Sequence, residues 1–194
     1  MGQYFTNEKL PSNVKMRKCS VLGKEFSFYT DNGVFSKDGI DFGSRLLLEH
    51  IPLEEVGVKV LDMGCGYGTI GIIINKLTNS SVDMVDVNLR ALHLSKRNIE
   101  ENKCNNCNVF ESNCYEAINS KYDTIITNPP IRAGKNIVYE ILLKAKEYLN
   151  DSGNLFLVIR KEQGAKSLIF DLEKIYNVSI LEKKKGFFVL KCTF

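Results

Sequence analysis

The sequence predicts an α/β protein with a mainly parallel seven-stranded sheet, helices on both faces and a terminal antiparallel hairpin. Three observations carry this. From residue 58 onward, short β-branched runs alternate with amphipathic helical stretches. A glycine-rich turn, Gly64-Cys65-Gly66-Tyr67-Gly68, joins the first of those runs to the first helix. The chain closes on two strand-like runs separated by Lys185-Gly186. Val58–Asp62 reads as the first strand and Tyr67–Leu77 as the helix after it. Val82–Asp86 is the second strand, followed by a helix over Leu89–Asn102 with Leu89, Leu92 and Ile99 at helical spacing. Cys107–Glu111 and Tyr122–Thr127 are two more strands. Ile137–Leu149 is an amphipathic helix ended by Asn150-Asp151-Ser152-Gly153. Leu155–Ile159 reads as a strand, Ala165–Ile175 as a helix, and Val178–Glu182 with Phe187–Cys192 as the hairpin. Residues 1–40, strand-like at Glu25–Thr30, form an extension packed on the core. No repeat, low-complexity tract or linker divides the chain. A single domain is therefore expected over residues 1–194, with 1–57 as extension and lead-in helix and 58–194 as the core.

A chain of 194 residues is long enough for one substantial core. Its 44% apolar and 25% charged residues are ordinary for a soluble globular protein. The longest apolar stretch, Ile70 to Ile74, is too short to span a bilayer, so no membrane association is expected. Met1–Glu8 has neither a basic start nor an apolar run, so no secretory signal is expected. Met1-Gly2 with Thr6 superficially fits an acylation pattern that nothing else supports. Cys19, Cys65, Cys104, Cys107, Cys114 and Cys192 are irregularly spaced. Without an export signal they are expected to be free thiols in a reducing cytosol, which makes the location cytoplasmic. Cys104-Asn105-Asn106-Cys107 lacks the second pair or nearby histidines of a zinc site, with His50 and His93 far off in sequence; no metal is expected. The net charge is only +3. Lys15, Arg17, Lys18 and Lys24 crowd the N-terminal segment, Arg160 and Lys161 follow a strand, and Lys183–Lys185 fill the hairpin. Each cluster is solvated surface unless the fold gathers them into one phosphate-binding footprint.

Val60 to Thr69 runs from strand through glycine turn to helix, where glycines let the turn tighten and a ligand approach the backbone. Asp86 ends the next strand about 20 residues further on, the usual offset for a carboxylate that grips ribose hydroxyls. Two nucleotide ligands fit this plan. Gly66-Tyr67-Gly68-Thr69-Ile70-Gly71 matches the dinucleotide fingerprint literally, but Asp62 stands at the ligand edge, where a pyrophosphate would be repelled. S-adenosylmethionine instead carries an α-amino group and a sulfonium, both cationic, which a carboxylate near the loop favours. Asp62 also suits bracing the loop, and the two roles can coexist. Asn113 ends a third strand where an adenine would lie and can donate and accept at its edge; a solvent-exposed turn asparagine is the rival reading.

Asn128-Pro129-Pro130-Ile131 follows the strand Tyr122–Thr127, at the sheet edge where open α/β proteins bind ligands. Proline has no N–H and a fixed φ, so the Asn128 and Pro129 carbonyls are not all consumed by regular hydrogen bonding. Acceptors held rigidly together suit an amino group about to be alkylated, although the same residues also make ordinary strand-ending turns.

Taken together, these residues resemble the class I S-adenosylmethionine-dependent methyltransferases, which have a Rossmann-like fold. More narrowly they resemble the ribosomal RNA small-subunit methyltransferase C-like family, which modifies guanine N2. Asp31-Asn32-Gly33-Val34-Phe35-Ser36 followed by Asp41-Phe42-Gly43-Ser44-Arg45-Leu46-Leu47 is similar to that family's lead-in. Lys161-Glu162-Gln163-Gly164-Ala165 and Lys185-Gly186-Phe187 are similar to its ending. The resemblance implies S-adenosyl-L-methionine as cofactor, held by Asp62, Gly64, Cys65, Gly66, Tyr67, Gly68, Asp86, Val87, Asn113 and Asn128. It implies methyl transfer to an exocyclic amino nitrogen of a base in ribosomal RNA or the small ribosomal subunit, with Asn128, Pro129 and Pro130 in the catalytic positions. Phe35, Ile131 and Arg132 would meet the substrate. Ile131 would offer the base an apolar face, Phe35 is a candidate to stack on base or cofactor, and Arg132, Lys135 and Lys37 could hold flanking phosphates. The best-known members carry a second, degenerate N-terminal domain for recognition. Only about 57 residues precede the first core strand here, too few for such a domain, and a homodimer could replace that surface. Rival expectations are a protein glutamine-amide methyltransferase, which favours an aromatic residue where Ile131 stands, and a non-catalytic RNA-binding or assembly factor. A small-molecule methyltransferase and a nicotinamide-binding protein rank below these.

Overall fold

In the computed structural model, which describes residues 10–194, a hairpin of β1 (Lys15–Val21) and β2 (Lys24–Thr30) precedes the helix α1 (Phe42–His50). The reading of Met1–Glu8 lies outside the described residues. Then follow β3 (Lys59–Met63), α2 (Thr69–Thr78), β4 (Ser81–Asp86), α3 (Leu89–Glu101), β5 (Cys107–Glu111) and β6 (Tyr122–Thr127). The chain ends with α4 (Lys135–Tyr148), β7 (Leu149–Arg160), α5 (Ala165–Leu172), β8 (Asn177–Lys184) and β9 (Phe187–Thr193). Seven strands form one sheet in the order β5-β4-β3-β6-β7-β9-β8. β5, β4, β3, β6 and β7 run parallel, and β9 is antiparallel to both β7 and β8. The expected seven-stranded α/β architecture is the one that forms. Order reverses between β3 and β4 on one side and β6 on the other, which opens a crevice at the strands' carboxyl ends.

The period-two alternation of the strands divides the core into two layers. Val60 of β3, Ile126 of β6, and Phe156 and Val158 of β7 point into one layer with Leu46 and Leu47 of α1, Ile72 and Ile73 of α2, and Leu92 of α3. Leu61, Ile125, Leu155 and Leu157 point into the other with Val138, Ile141 and Leu142 of α4 and Leu168 of α5. The β2 strand extends the first layer by packing Phe26 and Phe28 there. Its backbone is clamped to α3: Tyr29 N–H donates to Asn98 Oδ1 at 2.6 Å, and Asn98 Nδ2 returns a bond to Tyr29 O at 3.0 Å.

Two segments differ from the sequence reading. β1 was not expected as a strand, because Lys15, Met16, Lys18 and Ser20 are all exposed and of the alternating inward positions Arg17, Cys19 and Val21 only Val21 is fully buried. β7 begins at Leu149 rather than Leu155: Leu149 pairs with Tyr122, the register shifts, and Asn150 Nδ2 donates to Asp123 Oδ1 at 2.7 Å to fix the irregular stretch. Among the described residues no helix is long and apolar enough to cross a membrane.

Candidate active site

A cleft of about 370 Å³ opens at the carboxyl ends of β3, β4, β5 and β6, a volume in the range of small-ligand sites. Its first wall is the turn between β3 and α2. Gly64 N–H and Cys65 N–H both donate to Val85 O at 2.9 Å, and Gly68 N–H donates to Cys65 O at 2.9 Å, which curls the loop over the end of β4. Gly64 and Gly66 have φ of 74° and 56°, a region most side chains avoid. A Cβ built at Gly66 meets nothing within 4 Å, and one at Gly64 meets only Pro130 Cδ at 3.8 Å. The two glycines thus leave open the space that a ligand lying on the loop would fill.

Asp86 organises this wall from the end of β4. Its Oδ2 accepts Gly66 N–H at 2.8 Å and its Oδ1 accepts Asn88 N–H at 2.9 Å. Val87 N–H also bonds this carboxylate, and of the four lone pairs on its two oxygens one is left for a ligand hydroxyl. Burial raises the Asp86 carboxyl above its usual range, against the pull of these N–H groups. Asn88 caps α3 through Ala91 N–H at 3.1 Å and donates to Gly33 O at 3.1 Å, tying the lead-in segment to the cleft.

Of the residues expected to hold the cofactor, Gly64, Cys65, Gly66, Tyr67, Asp86, Val87, Asn113 and Asn128 line the cleft, while Asp62 and Gly68 do not. Asp62 sits one layer behind, with Oδ2 accepting Gly71 N–H at 2.8 Å and Oδ1 buried without a partner. Burial pushes its carboxyl up to about 7; Gly71 N–H opposes this and the Asp86 charge adds to it. Gly68 begins α2 with φ of 92°, and a Cβ there would stand 2.5 Å from Ser95 Oγ. Packing against α3 therefore requires that glycine whatever the ligand. Tyr67 is buried, donates from its hydroxyl to Ser36 O at 3.2 Å and meets Phe28 edge-on. Burial likewise raises the Cys65 thiol well above its ordinary value, so it stays protonated and unreactive. Asn113 Nδ2 gives one of its two N–H groups to Glu116 Oε1 at 2.9 Å, which leaves its second N–H and its oxygen for a ligand edge.

The opposite wall is Asn128-Pro129-Pro130-Ile131, joined by Phe35, Phe42, Arg132, Arg160, Gln163 and Phe187. Asn128 Nδ2 donates to Asp41 Oδ1 at 3.3 Å and to Ser44 Oγ at 3.0 Å. Both of its N–H bonds are thereby committed, and the carbonyl end is the one a ligand can use. The Pro129 carbonyl is already partly engaged. It accepts Ile131 N–H at 2.8 Å, in a tight turn that the double proline enforces, so only its second lone pair remains. Phe35 is half exposed at the cleft, as a stacking residue would be.

Sequence reasoning missed Asp41 and Ser44 as site residues, and likewise Phe42, Arg160, Gln163 and Phe187. The lead-in and ending motifs were visible, but their arrival at one cleft depends on α1 packing against β9 and on Arg160 pairing with Phe187 across β7 and β9. Cys104 lies between α3 and β5 and Cys107 begins β5, and among the described residues no group of three metal-ligating side chains gathers.

Comparison with known proteins gives a consistent family. A model of the methyltransferase small domain matches residues 25–191. The uncharacterized protein YbxB of Bacillus subtilis is 41% identical over 98% of both chains. The ribosomal RNA small subunit methyltransferase C of Psychromonas ingrahamii is 33% identical over 92% of this chain and 52% of its own. A solved T. thermophilus 16S rRNA N2 methyltransferase, in complex with AdoMet and guanosine, superposes with a TM-score of 0.84 at 26% identity, over 95% of this chain and 51% of that one. The chain thus spans about half the length of these two ribosomal RNA methyltransferases.

Proposed function

The chain belongs to the methyltransferase small domain family, and from that membership we propose that its cleft binds S-adenosylmethionine and transfers the methyl group to guanine N2 in small-subunit ribosomal RNA. S-adenosylmethionine supplies the methyl group on a sulfonium that a nucleophilic nitrogen can displace. The Gly64–Gly66 turn gives the ligand backbone-close space, and the Asp86 carboxylate offers its remaining lone pair to a ribose hydroxyl. Pro130 and Ile131 form an apolar shelf on the acceptor side, next to Arg132 and Arg160.

The observation that carries this reading is the fixed Asn128 amide. An exocyclic amino group is a poor nucleophile because its lone pair is delocalised into the ring. Asn128 Oδ1 and the second lone pair of the Pro129 carbonyl accept its two hydrogens, which favours a pyramidal nitrogen aimed at the methyl. The proton leaves after transfer, so no strong base is needed. The protein then contributes mainly positioning, worth several kcal/mol, and dipoles that stabilise the positive charge growing on nitrogen. A paired base must leave its stack to enter, at a cost of a few kcal/mol. The ribosomal RNA methyltransferases matched above support the choice of guanine and the small subunit.

The test is transfer of radiolabelled methyl from S-adenosylmethionine to ribosomal fractions of a host lacking the modification, with Asn128→Ala as control. Label in small-subunit RNA, lost in the variant, is expected. Label in protein would transfer the same acceptor chemistry to a glutamine amide, and no label in either fraction would overturn the reading.

A further inference from the structure

The tip of the β8–β9 hairpin is built rigidly beside the acceptor end of the cleft. Lys185 and Gly186 have φ of 48° and 78°, the two left-handed residues of a tight two-residue turn. Lys161 N–H, just past β7, donates to Gly186 O at 2.7 Å and pins that tip to the sheet edge. Arg160 lies directly across from Phe187, its guanidinium 5.4 Å from the ring centre. The Phe187 ring is 5.3 Å from that of Phe42, and Lys185 Nζ is 5.1 Å from the Phe42 ring. The result is a continuous row of cation, ring, ring and cation, of which Arg160, Phe187 and Phe42 also line the cleft.

Cations outnumber carboxylates on this face. Lys161, Lys184 and Lys185 are exposed there, Lys184 pairing with Phe187 across the hairpin, while Lys183 turns to the other side of the sheet over Phe188. The carboxylates of the same segments are Glu162, 2.9 Å from Arg160, and Glu182, 3.1 Å from His50. We propose that this face is where single-stranded RNA flanking the reacting base docks, lysines on its phosphates and bases against the Phe42–Phe187 rings. The proposal rests on RNA being the substrate and adds where that RNA lies. Aromatic platforms beside a basic track are what unpaired strands use, since every base has a face to stack and every phosphate a charge to neutralise. Strand order supports the direction of approach. β9 and β8 lie beyond β7 on the acceptor side, whereas Asp86 ends β4 and Asn113 follows β5 at the other end of the sheet. RNA entering over the hairpin reaches Asn128 without covering the cofactor half.

The test uses fluorescence anisotropy with a labelled single-stranded RNA of about 15 nucleotides, near the upper site size for such surfaces, over a series of salt concentrations. The hairpin variant carries Lys161→Glu, Lys184→Glu and Lys185→Asn; asparagine tolerates the left-handed backbone at 185. Its control carries Lys15→Glu, Lys18→Glu and Lys96→Asn, all exposed on β1 and α3, with the same change in net charge. The hairpin variant is expected to bind at least tenfold more weakly, and its salt slope to flatten by about 0.7 for each phosphate it no longer neutralises. The control should change less than threefold, and both should bind S-adenosylmethionine as the parent does. Equal losses in the two variants, no loss in either, or no RNA binding by the parent would overturn the docking surface. RNA held through this face but never methylated would overturn the reaction and leave the surface standing. Methylation undiminished in the hairpin variant would do the reverse.

Discussion

Asn128 has an amide whose two ends differ only in hydrogen-bonding sense, and Asp41 Oδ1 at 3.3 Å and Ser44 Oγ at 3.0 Å hold its nitrogen end. Asp41 also caps α1 through Ser44 N–H at 3.1 Å, so replacing it with alanine would confuse capping with positioning. Serine is nearly as good a cap but too short to reach Asn128. Asp41→Ser is therefore expected to slow single-turnover methyl transfer by about tenfold to a hundredfold, with unchanged cofactor affinity. In an Asn128→Ala background it should cost nothing more, because two residues acting through one group are not additive; multiplied losses would reject the positioning role. Asp62 supports a prediction of another kind. Its folded carboxyl titrates at about 7, while an unfolded Asp titrates near ~3.9. The folded state holds the proton more tightly, so this group's contribution to stability is complete below about pH 4 and is lost as the pH rises to 7. Asp62→Asn does not titrate. Its melting temperature minus that of the parent should climb across that window and level off above it; a pH-independent difference would contradict the burial argument.

At the scale of elements, the β3–α2 turn separates glycines that serve the ligand from glycines that serve the fold. Gly68→Ala drives a Cβ to within 2.5 Å of Ser95 Oγ at a φ of 92°, and overpacking of this sort costs roughly 1–3 kcal/mol. Gly66→Ala meets no atom within 4 Å and bears mainly the left-handed strain of about 1–2 kcal/mol, but it intrudes where the cofactor lies. The first variant should lose mainly stability and the second mainly S-adenosylmethionine affinity, checked by calorimetric unfolding and binding titration; the reverse pattern would refute the division. The sequence could not show this. Glycine spacing marks a turn, but whether a Cβ meets α3 or open space depends on a helix that begins some 20 residues later. The same limit explains Asp62, which local order places at the ligand edge and which in three dimensions lies behind it. By contrast, the strand–helix alternation and the Lys185-Gly186 turn were fully legible, because period and turn chemistry are local. β1 was not, since its side chains are mostly solvated and only its pairing with β2 makes it a strand.

For the molecule as a whole, sheet order assembles a site from segments far apart in the chain: Asp41 and Asn128 meet across 87 positions, and Arg160 meets Phe187 only because β9 runs back along β7. A ligand that fills such a cleft binds the folded state alone and should stabilise it. At a hundredfold excess over its Kd, S-adenosylmethionine is expected to add about 2.7 kcal/mol, which raises the melting temperature by roughly 5–10 °C for a chain of this size. A nicotinamide dinucleotide should leave it unmoved, and the opposite result would restore the dinucleotide reading of the glycine turn. The central claim concerns which atom accepts the methyl group, and nucleoside digestion of RNA methylated by the protein, followed by mass spectrometry, tests it most directly. The account predicts N2-methylguanosine, absent when Asn128→Ala is used. A methyl group on a ring nitrogen or a ribose hydroxyl, or a product unchanged in the variant, would contradict it.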